Sequence, residues 1–319
     1  MEKIRLALLS GGVSSEREVS LNSGNQVYEA LDKDRYNIKR YDPKTDLPRL
    51  VQDAADIDAA LIILHGPFGE DGTVQGLLDL LDIPYQGAGV LGSAAAMNKL
   101  TAKRLYEGAK IPTPGYLSYD IHDEISVPHA VETLGLPIVV KPACAGSSVG
   151  MTIVRAEADL AAAIKTGFEH DDTLILERYV KGTELTCGVL GNQDLEALPV
   201  IEIIPGDNHE YFDYQAKYVA GETEEICPAR IDDDITRKVQ DLAVRAHRAL
   251  FLKGYSRTDM ILRDGELHVL ETNTIPGMTA TSLYPQSAQA GGYSFSALLD
   301  KLVELAIEEH KRTNLRRTK

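Results

Sequence analysis

Apolar and polar positions along the chain fall into blocks that read alternately as strands and helices. Residues 4–9 form a short apolar run that opens into Ser10-Gly11-Gly12 and read as a first β-strand. Residues 16–31 carry helical spacing, residues 59–64 are a continuous apolar run of strand length, and residues 73–81 return to helical spacing. Such alternation predicts a parallel sheet with helices on its faces. A helix over 99–109 then runs into Ile111-Pro112-Thr113-Pro114-Gly115, where two prolines demand extended chain.

Beyond that break the pattern predicts strands at 138–141, 149–154 and 174–178, with an Ala-rich helix at 157–168 between the last two. Lys181-Gly182 marks a second boundary, followed by strands at 184–190 and 198–204. Residues 205–222 are rich in Tyr, Gly and Asp without a period, and a loop that long inside a compact domain is usually functional or disordered. A helix over 232–251 opens on acidic residues that suit its dipole. Residues 255–262 and 266–271 make a hairpin around Arg263-Asp264-Gly265, a DG turn signal. Helices near 283–290 and 295–310 close the chain. The organisation is thus an N-terminal α/β domain over 1–98, a central lobe over 99–182 and a C-terminal lobe over 183–319. No internal repeat is present.

Composition narrows the function classes. Hydrophobic residues make up 44% and charged residues 25%, as in ordinary globular proteins. No apolar run approaches the roughly 20 residues of a membrane span. The apolar run after Met1-Glu2-Lys3 is too short for a secretory signal, so a cytoplasmic location is expected. Net charge is −15, which argues against a nucleic-acid surface, although a few lysines and a metal can still hold a nucleotide locally. Cys144, Cys187 and Cys227 lack metal or CxxC spacing and are expected as free thiols. The basic stretch 311–319 is expected as a frayed, solvated end.

Four segments bear chemistry. Gly11-Gly12-Val13-Ser14-Ser15-Glu16-Arg17-Glu18 joins a strand to a helix. Ser15 and Glu18 have capping-box spacing, while Glu16 is free either to start the helix or to hold an ammonium group. His65-Gly66-Pro67-Phe68-Gly69-Glu70-Asp71-Gly72 follows the second apolar strand, at the sheet edge where open α/β folds bind ligands. His65 there is structural or functional on equal grounds. Lys141-Pro142-Ala143-Cys144-Ala145-Gly146-Ser147-Ser148-Val149-Gly150 reads as a surface turn or as a loop folding over phosphates, with Lys141 as a point charge. It lacks the P-loop pattern, and Cys144 has no basic neighbour that would activate it. Finally, Asp259 lies on one strand of the hairpin with Glu271 and Asn273 on the next. Glu271 and Asn273, two apart, share a face, and three oxygen-bearing groups suit Mg²⁺ with phosphates. Arg257 lies two residues from Asp259, placed to grip a transferring phosphoryl group.

Taken in order, the segments 11–22, 65–76, 141–151, 213–218, 257–259 and 271–283 resemble those of the D-alanine:D-alanine ligases, members of the ATP-grasp family. The resemblance covers nearly the whole length and implies an N-terminal α/β domain followed by two lobes that clamp ATP. It implies that Lys99, Lys141, Glu177 and Glu184 hold ATP. By pattern alone Glu177 and Glu184 pass as ordinary exposed acids. It implies that Asp259, Glu271 and Asn273 bind two Mg²⁺ ions, with Mn²⁺ as an alternative. Glu16 would hold the first D-alanine's ammonium, and Glu16, Ser147 and Tyr218 together would position the second. Ser282 and Lys217 would receive the second carboxylate or the transferring phosphate, with His65 and Leu283 also at the substrates. Arg257 and the Gly277 amide would stabilise an oxyanion, and 205–222 would be a lid carrying Lys217 and Tyr218. The same resemblance implies a homodimer and a role in peptidoglycan precursor synthesis. Ala143-Cys144-Ala145 departs from relatives that carry charged residues there, and Thr258 stands where relatives carry Ile or Val. Two rivals stay open: an ATP-grasp ligase for another amine or hydroxy acid, and a non-catalytic two-lobed binding protein.

Overall fold

The computed structural model describes residues 2–144, 146, 149–206 and 223–317, with side chains through 313. Residues 207–222 of the expected lid 205–222, with Lys217 and Tyr218, and Ser147 of the small-residue loop lie outside these residues.

The N-terminal part is built on β1 (Ile4–Ser10), which sits between β2 (Tyr36–Tyr41) and β3 (Ala59–Ile63) in an all-parallel sheet. Helices α1 (Arg17–Ala30), α2 (Leu47–Gln52), α3 (Thr73–Leu80) and α4 (Gly89–Met97) connect and flank these strands. β3 is buried along its whole length, which is why it reads as an unbroken apolar run. β2 is an edge strand buried only at Tyr36 and Tyr41, and its polar middle hides it from the pattern. α1 begins without the expected capping box. Its N-cap is Glu16, with no side-chain cap, because Ser14 has taken over the turn: its hydroxyl accepts from Glu16 N–H at 3.2 Å and donates to His65 O at 2.7 Å.

Helix α5 (Lys99–Gly108) leads to the central lobe, an antiparallel sheet in the order β4 (Tyr116–Asp120), β7 (Thr173–Arg178), β5 (Ile138–Pro142), β6 (Thr152–Val154). α6 (Val127–Leu134) and α7 (Glu157–Gly167) cover one face and share a core with Ile138, Val140, Leu174 and Leu176. β6 starts later than the expected 149, because Val149 and Gly150 form a turn with Gly150 at φ +71°.

The second large sheet runs β11 (Thr223–Ile226), β10 (Ile201–Pro205), β8 (Thr183–Leu190), β12 (Tyr255–Arg263), β13 (Glu266–Asn273), with β9 (Glu196–Ala197) on β8. β10 begins at Ile201 rather than 198. Pro199 has no amide to give a ladder, and Leu198 N–H is bonded to Gly188 O at 2.8 Å. α8 (Asp233–Ala249) is capped by Asp232, which accepts from Ile235 N–H at 2.8 Å, and packs Val239, Leu242 and Ala246 against Leu185, Met260 and Val269. The β12–β13 turn has Asp264 and Gly265 at φ +52° and +82°, the geometry that a DG pair favours. α9 (Leu283–Ala290) and α10 (Phe295–Arg317) finish the chain. α10 is longer than the expected 295–310. The basic stretch continues the helix to Arg317, where a frayed end was expected, and Arg312 Nε donates to Glu309 Oε2 at 2.6 Å.

One core joins the two ends of the chain. Leu6, Leu8, Leu61 and Ile63 pack with Tyr255, Tyr284, Leu298 and Leu302. Ile275, just after β13, inserts into the cluster around Leu9, Ile62 and Val74.

Candidate active site

Two adjoining cavities of about 460 and 500 Å³ lie where the three parts of the chain meet, and Lys99 and Glu271 line both. The larger is a cleft between the sheets of the central and C-terminal lobes, walled by Val139, Ile153, Leu185 and Ile203. The smaller lies under the N-terminal loops and is bounded by Glu16, His65, Arg257, Gly277 and Ser282.

Register on β12 and β13 builds the junction. Asp259 pairs with Glu271, and Arg257 with Asn273. Strict alternation from Leu267 and Val269, both packed on α8, would send Glu271 to the same buried face. A bulge prevents this: Met260 pairs with Val269 and Asp259 with Glu271, so Leu270 is the extra residue. Leu270 and Glu271 therefore both face the cleft, and Thr272 returns to the core to meet Thr258 Oγ1 at 3.0 Å and Tyr106 Oη at 2.7 Å.

Around this pair the charges interlock. Arg257 grips Asp259 with two bonds, of 2.9 and 2.8 Å. Asn273 Nδ2 donates to Asp259 Oδ2 at 3.1 Å, and Thr186 Oγ1 to Asp259 Oδ1 at 2.6 Å. Lys99 Nζ stands 3.6 Å from Glu271 Oε2. Asp259, Glu271 and Asn273 thus converge as the sequence led us to expect. Two carboxylates and an amide oxygen form a hard-oxygen donor set of the kind Mg²⁺ takes with phosphate oxygens.

Lys141 projects into the cleft from β5 and is ion-paired to Glu177 of the neighbouring β7. Glu177 is not the exposed acid its pattern suggested: it is 1% exposed and also bonded by Lys103 of α5. Burial pushes its carboxyl upward, but the two ammonium groups outweigh that and hold it below the usual carboxylate range. Lys103, which sequence reasoning missed, also donates to Thr113 Oγ1 at 2.7 Å. Its spacing of four from Lys99 on one helix was the available signal. Glu184, on β8, is half-buried and lines the same cleft.

Glu16 is 7% exposed. Gly66, at φ +70°, comes so close that an added Cβ would lie 2.9 Å from Glu16 Oε2, and one on Gly146 of the small-residue loop would lie 3.4 Å away. The N-terminal and central loops thus both close on this carboxylate. His65 is buried, and its Nε2 has no hydrogen-bond partner among the described residues. Burial holds its imidazole below the ordinary value against the pull of Glu16. Ser282 caps the approach to α9: its hydroxyl meets Thr279 Oγ1 at 2.7 Å, and an added Cβ on Gly277 would lie 3.0 Å from it. Leu283 is buried against Ile201 and Ile203, with an edge on the smaller cavity. Cys144 is exposed, and its thiol is raised by burial and by Asp171, as befits a bystander; Cys187 and Cys227 are also free.

Comparison with known proteins is decisive. Residues 105–304 match the family described as D-ala D-ala ligase C-terminus, and residues 40–88 match D-ala D-ala ligase N-terminus. The D-alanine–D-alanine ligase of Syntrophobacter fumaroxidans is 59% identical over 97% of this chain and 99% of its own length. That of Desulfotalea psychrophila is 55% identical, over 97% of each. Among solved structures, the D-alanine–D-alanine ligase of Bacillus anthracis complexed with ATP superposes with a TM-score of 0.86 at 35% identity, covering 97% of this chain and 99% of that one. The VanG D-Ala:D-Ser ligase of Enterococcus faecalis gives 0.84 at 33% identity, covering 96% and 100%. With both family profiles matched in order and relatives aligned nearly end to end, this chain belongs to the D-alanine–D-alanine ligase family.

Proposed function

We propose that this chain joins two D-alanines into D-alanyl-D-alanine at the expense of ATP, supplying a precursor for peptidoglycan. The observation that carries the reading is the β12–β13 pairing, which gathers Arg257, Asp259, Glu271 and Asn273 at the join of a nucleotide-sized cleft and a small polar cavity.

ATP lies in the larger cleft, its base between the two sheets and its phosphates toward Glu271. Lys141 and Lys99 neutralise phosphate charge, Glu184 takes the ribose, and Glu177 orients Lys141 while its free lone pairs face the adenine amino group. Asp259, Glu271 and Asn273 would hold two Mg²⁺ ions, which would supply charge neutralisation at the phosphates. The first D-alanine occupies the smaller cavity with its ammonium on Glu16. Its carboxylate oxygen attacks the γ-phosphorus, the bond to the bridging oxygen breaks, and ADP leaves. The second D-alanine, with its carboxylate at Ser282, attacks the acyl phosphate carbon through its deprotonated amine. The C–O bond breaks, and phosphate departs. Arg257 and the Gly277 amide stabilise the oxyanion, with His65 and Leu283 shaping the substrate site. Catalysis is positioning and charge stabilisation, since no side chain becomes covalently attached. Ser147, Lys217 and Tyr218, which lie outside the described residues, complete the substrate set in this reading, with 205–222 as the lid excluding water.

The reading includes a cytoplasmic homodimer. Among the described residues no helix is long and apolar enough to cross a membrane, and Leu47, Val51 and Phe68 are exposed apolar side chains of the N-terminal part. Sedimentation at micromolar concentration should give twice 34.8 kDa. The central test is a product assay with ATP, Mg²⁺ and D-alanine, D-lactate or D-serine as acceptor. D-alanine-dependent ADP release with D-alanyl-D-alanine as the main product is expected. A different product would favour another ATP-grasp ligase, and no nucleotide turnover would sink the enzyme reading.

A further inference from the structure

Glu70 belongs to the His65–Gly72 segment and touches neither substrate nor nucleotide in the proposed reaction. Its side chain lines the smaller cavity on the side where N-terminal and C-terminal loops meet. It accepts from Gly66 N–H at 2.7 Å, closing the loop that follows β3. Ile275, beyond β13 and about two hundred residues away in the chain, lines the same cavity, with its backbone near enough to bear on the Glu70 carboxyl group. Ile275 also lines the cavity beside His65, and its own side chain is 2% exposed in the N-terminal core. Glu70 is therefore the polar fastening beside an apolar plug. The two together set the His65 loop against the 274–277 loop. The loops so fastened carry His65 Nε2, without a partner among the described residues, on one side and the Gly277 amide on the other.

We propose that Glu70 is a positioning residue for the ligation: its carboxyl group clips the Gly66 amide to the Ile275 backbone and so fixes His65 and the Gly277 amide around one substrate carboxyl group. The inference rests on the ligase reading and deepens it. A near-attack geometry assembled from two separate parts of the fold depends on their fastening, and a displacement of about 1 Å costs on the order of a hundredfold in rate. Asp71, the next residue, does only local work, accepting from Phe68 N–H and Thr73 N–H to start α3. Burial, with the Glu16 carboxylate facing it, pushes Glu70 up to about 8. At neutral pH a glutamine is therefore its close mimic.

The test compares wild type, Glu70→Gln and Glu70→Ala by thermal unfolding, by kcat and KM for D-alanine and for ATP, and by phosphate released per dipeptide formed. Glu70→Ala should lose about a hundredfold in kcat, release phosphate in excess of dipeptide and keep its KM for ATP. Glu70→Gln should recover activity to within about tenfold, one factor of ten being about 1.4 kcal/mol. Near-normal Glu70→Ala, Gln no better than Ala, or a KM for ATP that worsens in step with kcat would each overturn the proposal. Absence of dipeptide from the wild type would instead sink the ligase reading itself, and this inference with it.

Discussion

At the scale of single residues, the sharpest expectation concerns Arg257. It is 9% exposed and doubly bonded to Asp259, so it is already held in the place where the proposed reading has charge develop during phosphoryl and acyl transfer. Removing one such clamp costs roughly 2.7–4 kcal/mol of transition-state stabilisation, about a hundred- to a thousandfold. Arg257→Ala should therefore lose turnover by that factor while unfolding cooperatively, as circular dichroism would report; near-normal kcat would remove Arg257 from the mechanism. Glu70 offers a second check, through pH. Its folded value, about 8, lies above the ordinary 4.5, so between these the folded state holds a proton the unfolded state has lost. Its contribution to stability is full below about 4.5 and falls as pH rises toward 8, by at most about 1.4 kcal/mol per unit. Wild type should lose stability relative to Glu70→Gln from pH 5 to 8 in urea titrations; a constant difference would contradict this. Asp259, Glu271 and Asn273 were legible in sequence because strand spacing fixes which side chains share a face. Lys103 and the burial of Glu177 were not, because a buried ion pair between α5 and β7 leaves no local pattern.

At the scale of elements, the β-bulge at Leu270 decides what the cleft receives. It lets one strand present Val269 to α8 and yet give both Leu270 and Glu271 to the nucleotide side. By pattern alone Val269-Leu270-Glu271 reads as an apolar strand ending in an acid. Period-two reasoning reached the right face for Glu271 and Asn273 relative to each other, but not the device that puts them there. Leu270 is half-buried and supplies apolar floor to the cleft. Leu270→Ala should forgo about 1 kcal/mol of that contact on nucleotide binding, raising KM for ATP about fivefold. KM for D-alanine, which the proposed reading places beyond Arg257, should stay level. A KM for ATP that does not move would show that the bulged leucine does not touch the nucleotide. The same limit of local pattern explains the other misses: β2 is polar because it is an edge, and α10 outruns its apolar stripe because Arg312 and Glu309 extend it.

At the scale of the molecule, chain order and packing divide the protein differently. Read along the sequence, 1–98 is a self-contained α/β unit, and its parallel sheet is real. Its core is not its own. Leu6, Leu8, Leu61 and Ile63 are covered by Leu298, Leu299, Leu302 and Val303 of α10 and by Tyr255 and Tyr284 from the C-terminal lobe. The central lobe, by contrast, closes its own core between one sheet and α6 and α7. Two consequences follow for the reaction. In the proposed reading the first D-alanine sits in the smaller cavity, whose wall comes largely from the two ends of the chain, so Glu16, His65 and Gly277 keep their spacing while Gly146 of the central lobe closes on Glu16 from the other side. The larger cleft lies between that body and the separately cored lobe, so in the proposed reading an opening that admits ATP would also draw Gly146 away from Glu16. The division is testable in the chain itself. A fragment of residues 1–98 would expose the faces that α10 covers; burying each large apolar side chain is worth about 1.5–3 kcal/mol, and a domain has only 5–15 kcal/mol of net stability. The isolated fragment should therefore show no cooperative thermal transition. Adding a peptide of residues 295–317 should restore helical signal only in part, since Tyr255 and Tyr284 remain missing. A fragment that melts cooperatively unaided would mean that the amino-acid site is carried by an independent domain, and that its spacing to Gly277 is free to change.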